Sequence, residues 1–145
     1  MIAIGCDHAG VEMKNAIIKE LSGKGFEFRD FGTDGEPCDY PDKAKEVCGA
    51  VVSGECEKGI LICGTGIGMS IAANKIKGIR AALCSDSFST RFTRLHNDTN
   101  IMCMGARTLG TGLAAELAEI FLTTGFEGGR HQRRVDKITE IENNN

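Results

Sequence analysis

Ile60-Leu61-Ile62-Cys63-Gly64-Thr65-Gly66-Ile67-Gly68-Met69-Ser70-Ile71-Ala72-Ala73-Asn74 is the stretch on which the fold turns. A short apolar run ends in a thiol, glycines recur at alternate positions, and a helical pattern follows, so a buried strand hands over to a helix at residue 63. Glycines let the chain turn tightly and leave backbone N–H groups bare, while the start of a helix favours negative charge beside it. A thiolate or an oxyanion is stabilised in such a place. Cys63 is one of seven cysteines, and most buried thiols are inert packing groups, so it is the glycine turn that singles this one out.

Outward from this turn, strand-like runs at 2–5, 26–31, 59–63, 79–84 and 99–104 alternate with helical patterns. That alternation specifies βα units on a five-stranded parallel sheet, an α/β fold whose strand order is taken as 2-1-3-4-5. In the first helix Met13, Ile17, Ile18 and Leu21 form the apolar stripe, with Lys14, Lys19 and Glu20 assigned to solvent, and Ser22-Gly23 stops it. Residues 32–41 carry dense turn chemistry and a helix is expected to begin near Pro41-Asp42. Leu113, Leu117, Ile120 and Phe121 predict a helix ending near Thr124-Gly125, and a last helix spans about 131–142.

At 145 residues the chain has the size of one domain, taken as residues 1–145. Seventeen basic against twenty acidic residues give no bulk attraction to nucleic acid or an anionic membrane. The cysteines are odd in number and none are spaced C-x-x-C, which fits reduced thiols better than a disulfide framework or a zinc site. No apolar stretch nears the ~20 residues of a membrane span, and a soluble cytoplasmic protein is expected.

In an open parallel sheet, ligands lie beyond the carboxyl ends of the strands, where the strand order reverses. The first strand delivers Gly5-Cys6-Asp7-His8 to that crevice and the third delivers the Cys63 turn. His96-Asn97-Asp98-Thr99-Asn100 precedes the fifth strand and can bring an imidazole and carboxamides to the same rim, or merely form an Asx turn. Gly128-Gly129 followed by Arg130 and Arg134 offers backbone donors and forked guanidinium groups suited to a phosphate monoester, although most basic helical stripes are solvated faces. A nucleotide site is the alternative. The pattern G-x-G-x-G departs from G-x-G-x-x-G at Met69, and Asp86 is the one acid placed to imitate a ribose ligand.

Gly5-Cys6-Asp7-His8-Ala9-Gly10, Asp39-Tyr40-Pro41-Asp42, Ile62 to Lys75, Gly78-Ile79-Arg80-Ala81, His96 to Asn100 and Gly128-Gly129-Arg130-His131 together resemble the type B ribose-5-phosphate isomerases over nearly the whole chain. That family also holds allose-6-phosphate and galactose-6-phosphate isomerases. The resemblance implies a three-layer α/β/α sandwich that forms a homodimer or dimer of dimers, with active sites at the subunit boundary, the final helix reaching its neighbour, and neither metal nor cofactor. It makes Cys63 the base that moves a proton between C2 and C1 of an open-chain sugar phosphate, and His96, partnered by Asp7, the group that opens the sugar ring. Thr65 and Asn97 would orient sugar oxygens, with the N–H groups of Gly64 to Gly68 against the enediolate, Gly64, Gly66, Gly68 and Ser70 counted among the substrate-binding residues, and His8 and Tyr40 lining the pocket. Arg107, Arg130 and Arg134 match the phosphate-binding arginines, with His131 beside them. Family members without the cysteine use a nearby glutamate; here Met69 stands in that place, while Phe88 replaces a common tyrosine.

Overall fold

A strand whose residues are all apolar must be covered on both faces and flanked on both edges. Three segments meet that description, apart from the Lys58 that opens the second, and form the centre of the sheet: β1 (Ile2–Cys6), β3 (Lys58–Cys63) and β5 (Ile101–Gly105). The two short, partly exposed strands, β2 (Phe28–Asp30) and β4 (Ala81–Leu83), close its edges. The computed structural model describes residues 1–145 and gives an all-parallel order β2-β1-β3-β5-β4. The expected order 2-1-3-4-5 is thus corrected at its end. Ile-Met-Cys-Met-Gly is buried at every position and takes the inner place, whereas β4 leaves Leu83 43% exposed and tolerates the rim.

The reversal between β1 and β3 is unaffected by this exchange, so the crevice falls where it was expected. Asp7 extends the β1–β3 pairing by donating its N–H to the Ile62 carbonyl at 3.1 Å. Helices α1 (Val11–Ser22) and α5 (Thr111–Thr123) cover one face, packing Met13, Ile17, Leu21, Leu117 and Phe121 on Ile4, Ile60, Ile62 and Met104. On the other face α2 (Tyr40–Val52) and α3 (Ile67–Ala73) pack Val47, Cys48, Met69 and Ala73 on Leu61, Ile101 and Cys103. Each large aliphatic side chain so buried contributes about 1.5–3 kcal/mol. Helix α4 (Ser87–Asn97) lies against α5, and α6 (Arg130–Asn143) lies on α4.

Two side-chain assignments, Lys14 and Leu113, change in three dimensions. Lys14 is fully buried instead of solvated, its stem in the α1 stripe and its Nζ donating to both Asp30 carboxylate oxygens at 2.9 Å and to the Thr33 carbonyl at 3.0 Å. Burial alone would lower its pKa, but the hydrogen bonds and charge of Asp30 outweigh this and raise it. Leu113 is exposed, because the inner stripe of α5 runs through Ala114, Leu117, Ala118 and Phe121. On α6 only His131 and Val135 are buried, leaving Ile138 and Ile141 45% and 65% exposed. No helix is long and apolar enough to cross a membrane.

Candidate active site

The glycine turn builds the first half of the site. Gly66 adopts φ +81°, a left-handed conformation costly for any other residue, and an added Cβ there would lie 2.8 Å from the Met104 carbonyl carbon. The reversed peptide points the Gly66 N–H at the Cys63 sulfur, which accepts it at 3.2 Å. The Thr65 hydroxyl oxygen accepts the Ile67 N–H at 3.2 Å, while the N–H groups of Gly64, Thr65, Gly68 and Met69 find no partner inside the chain. A sulfur with a donor already on it therefore sits in a floor of free donors. Thiolate character is what makes a cysteine basic and nucleophilic, and donors aimed at the sulfur favour it.

The other cysteines lack this surrounding. Desolvation by burial pushes the Cys48 thiol up to about 12 and the Cys6 thiol up to about 11, the latter partly offset by the charge of Lys14. Cys103, wholly enclosed beneath the sheet's centre, is pushed up by the same cause.

Around Cys63 an open cleft of about 470 Å³ is lined by Asp7, Tyr40, Cys63, Gly64, Thr65, Ile67, Gly68 and Ile71. Asp7 reaches it from the end of β1 with its carboxylate fixed by the Ala9 N–H at 2.9 Å. Tyr40, at the start of α2, lies so close over Gly68 that a Cβ there would meet its ring at 2.5 Å. Arg107 follows β5 and passes over Gly64, to whose carbonyl its own N–H donates at 2.9 Å. His8 is exposed beside this cleft, and the Ser70 hydroxyl is occupied by the Ile67 carbonyl at 3.0 Å.

His96 and Asn97 line a different cleft, of about 360 Å³, with Leu83, Cys84, Phe88 and Phe92. No hydrogen bond or ion pair joins His96 to Asp7 within the chain. Instead the His96 ring stacks on His131 at 4.0 Å between centroids, and its Nε2 lies 3.7 Å from Glu127. Arg130 and Arg134 stand exposed on the first turns of α6. A third cleft bridges the two along the carboxyl edge, sharing Thr65 and Ile67 with the first and Leu83 and Cys84 with the second.

The donor atoms of His96, Glu127 and His131 fall within 4.8 Å of one another, the only such trio in the chain. The two imidazole planes differ by 12°, so their nitrogen lone pairs run side by side and do not converge on one ion. Asp86, the acid that kept a nucleotide reading open, caps α4 by accepting the Ser89 N–H at 2.7 Å. Asn100 is structural, bonding the Arg80 N–H and the Gly78 carbonyl, each at 2.9 Å. Sequence reading overlooked Glu127 altogether; an isolated acid in a loop carries no pattern that marks it.

A parallel sheet whose switch point holds a donor-rich turn and a sulfur, with guanidinium groups on the same rim, is the framework of an enzyme that handles anionic intermediates. A sequence profile described as Ribose/Galactose Isomerase matches residues 2–138, and the chain belongs to that family. It is 50% identical over 142 residues to ribose-5-phosphate isomerase B of Escherichia coli, covering 97% of this chain and 95% of that one. The structure of Clostridium thermocellum ribose-5-phosphate isomerase B superposes with a TM-score of 0.96 at 51% identity, over 99% of this chain and 97% of that one. The Mycoplasma genitalium ribose-5-phosphate isomerase B, solved with bound ribulose 5-phosphate, gives 0.94 at 39% identity over 99% and 97% of the two chains.

Proposed function

We propose that this protein is an aldose–ketose isomerase that interconverts D-ribose 5-phosphate and D-ribulose 5-phosphate, with Cys63 as the base. The observation that carries the reading is the Gly66 N–H on the Cys63 sulfur at 3.2 Å, in a floor of unpaired N–H groups. In the forward direction the Cys63 thiolate takes the proton from C2 of the open-chain aldose. The electron pair becomes the C1–C2 double bond and the aldehyde oxygen O1 becomes an enediolate oxygen. The free donors of the turn hold this charge, at a cost in reorganisation already met by the fold. Cys63 returns its proton to C1, O2 loses its proton to become the ketone oxygen, and O1 gains one. Atoms and charge balance, and no redox partner enters.

The remaining groups follow from chemistry. His96 opens the furanose ring by acid–base proton transfer, a task to which the two ring nitrogens of an imidazole are suited. Thr65, Asn97, Tyr40 and His8 contact the sugar, and Arg107, Arg130 and Arg134 hold the phosphate through charge-assisted hydrogen bonds. Within one chain His96 and Asn97 line a cleft other than that of Cys63 and no hydrogen bond or ion pair joins His96 to Asp7, so on this reading a second copy supplies His96, Asn97, Arg130 and Arg134 to the Cys63 of the first. Ile67, Ile71, Leu83 and Phe88, between 43% and 66% exposed around the trough, provide the apolar surface for this pairing. The active unit is a homodimer or a dimer of dimers.

Mixing two inactive variants tests both the chemistry and the assembly. Cys63→Ala and His96→Asn homo-oligomers are each expected to be inactive on ribose 5-phosphate, and unfolding and refolding them together restores activity, because each mixed dimer contains one intact site. No recovery in verified mixed dimers would place both groups in one chain. Turnover of a hexose 6-phosphate in preference to the pentose would move the substrate to the longer sugar, a choice set by pocket depth at only ~1–3 kcal/mol.

A further inference from the structure

Four aromatic rings form a continuous stack that crosses from α4 to α6. Phe88, Phe92 and His96 recur at intervals of four residues on one face of α4, with Phe88 on Phe92 at 4.4 Å and Phe92 edge-on to His96 at 5.0 Å. His131 completes the stack from α6, its plane within 12° of the His96 plane. His131 is only 5% exposed, and its Nε2 is buried without a hydrogen-bond partner. Glu127 spans the pair, one oxygen 3.7 Å from the Nε2 of His96 and the other 4.0 Å from that of His131.

We propose that His131 is a positioning residue for His96: a buried ring that fixes the plane of the imidazole stacked on it, with no direct part in holding phosphate. The inference rests on the reading of His96 as the ring-opening group. A phosphate ligand needs a donor that solvent can reach, and this side chain is shut in. A cation there would lose its hydration with no hydrogen bond in return, and would face a second cation in the stacked ring. Desolvation first, and the charge of His96 second, push the pKa of His131 below its ordinary value. The charged groups facing it are Glu127, which favours protonation, and Arg130 and Arg134 from α6, which oppose it along with His96 from α4. His96 is the more exposed of the two and lies nearer Glu127.

His131→Phe and His131→Ala separate positioning from ligation. The phenylalanine keeps a stacking surface and should retain kcat within about threefold, whereas alanine frees the His96 ring and should lower kcat on the order of 10²-fold. KM for ribose 5-phosphate is expected to change less than twofold in both. A KM that rises in both variants with kcat intact would make His131 a phosphate ligand and overturn the proposal. Imidazole NMR titration of the substrate-free wild type gives a readout independent of turnover: the His131 midpoint should lie below the ordinary imidazole value, as its buried, stacked position requires. A His131 midpoint at or above that value would also overturn the proposal. A wild type inactive on every phosphorylated sugar, with these titrations as expected, would instead remove the catalytic reading of His96 and leave the stack intact.

Discussion

The two clefts of the carboxyl edge are built from different materials. Around Cys63 the working groups are mostly backbone: a sulfur, a reversed peptide and free N–H donors, held by a turn that follows a strand buried on both faces. Around His96 they are side chains on two surface helices, aligned by ring stacking and crossed by one exposed carboxylate. Backbone donors held by a turn are fixed by the fold itself and need little reorganisation to meet a developing charge. Side chains on surface helices depend on their neighbours for their orientation. The difference teaches that, on the proposed reading, proton transfer at carbon falls to the backbone-built cleft and the handling of ring and phosphate to the side-chain-built one.

The strongest way to break the contrast is to remove the sulfur. Cys63→Ala is expected to lower kcat by about 10³-fold or more while calorimetric affinity for the sugar phosphate changes little, as for a group whose role is confined to the transition state. Activity at the wild-type level would return Cys63 to the packing thiols. Next in size, Arg130→Ala should raise KM about tenfold with a smaller change in kcat, since a guanidinium on phosphate binds ground state and transition state alike. A fall in kcat alone would assign it to the chemistry.

Gly68→Ala probes the rigidity of the first cleft. Its Cβ would meet the far end of the Tyr40 ring at 2.5 Å, and because that ring is exposed it can swing outward, so stability should change by less than about 1 kcal/mol while substrate affinity falls. Denaturation curves and KM measured on one preparation check both. The smallest effect concerns pH. His131 binds a proton less readily in the fold than in the unfolded chain, where its value is about 6.5. As pH falls below that value the unfolded chain takes up a proton that the native ring refuses, so stability declines until the lowered native value is passed. His131→Phe removes this acid-side decline, and urea midpoints measured at pH 7 and pH 5 should differ less in the variant than in the wild type.

Much of the architecture was legible because period and punctuation are local. Ile60 to Asn74 announced strand, turn and helix, and β1, β3 and β5 read as strands from unbroken apolar runs. The exchange of β4 and β5 was not legible, because an order depends on which strand needs two neighbours, and Ala81-Ala82-Leu83 and Ile101-Met102-Cys103 differ too little as isolated runs. Lys14 was misassigned for a related reason: a cation on an apolar stripe looks solvated until Asp30 and the Thr33 carbonyl are brought over it from 16 and 19 residues away. Asp7, Tyr40, Cys63, Gly64, Thr65 and Gly68 were recognisable as site candidates and do share a cleft. That His96 faces His131 and Glu127, and not Asp7, was hidden.

By itself the amino-acid order determined the βα alternation, the place of the thiol at a strand's end and the donors that surround it, since all three follow from contacts between residues a few positions apart. Only the tertiary structure decided which strand is central, which lysine is buried and which rings lie against His96. Those outcomes depend on segments distant in the chain meeting in space, and no local spacing encodes the meeting.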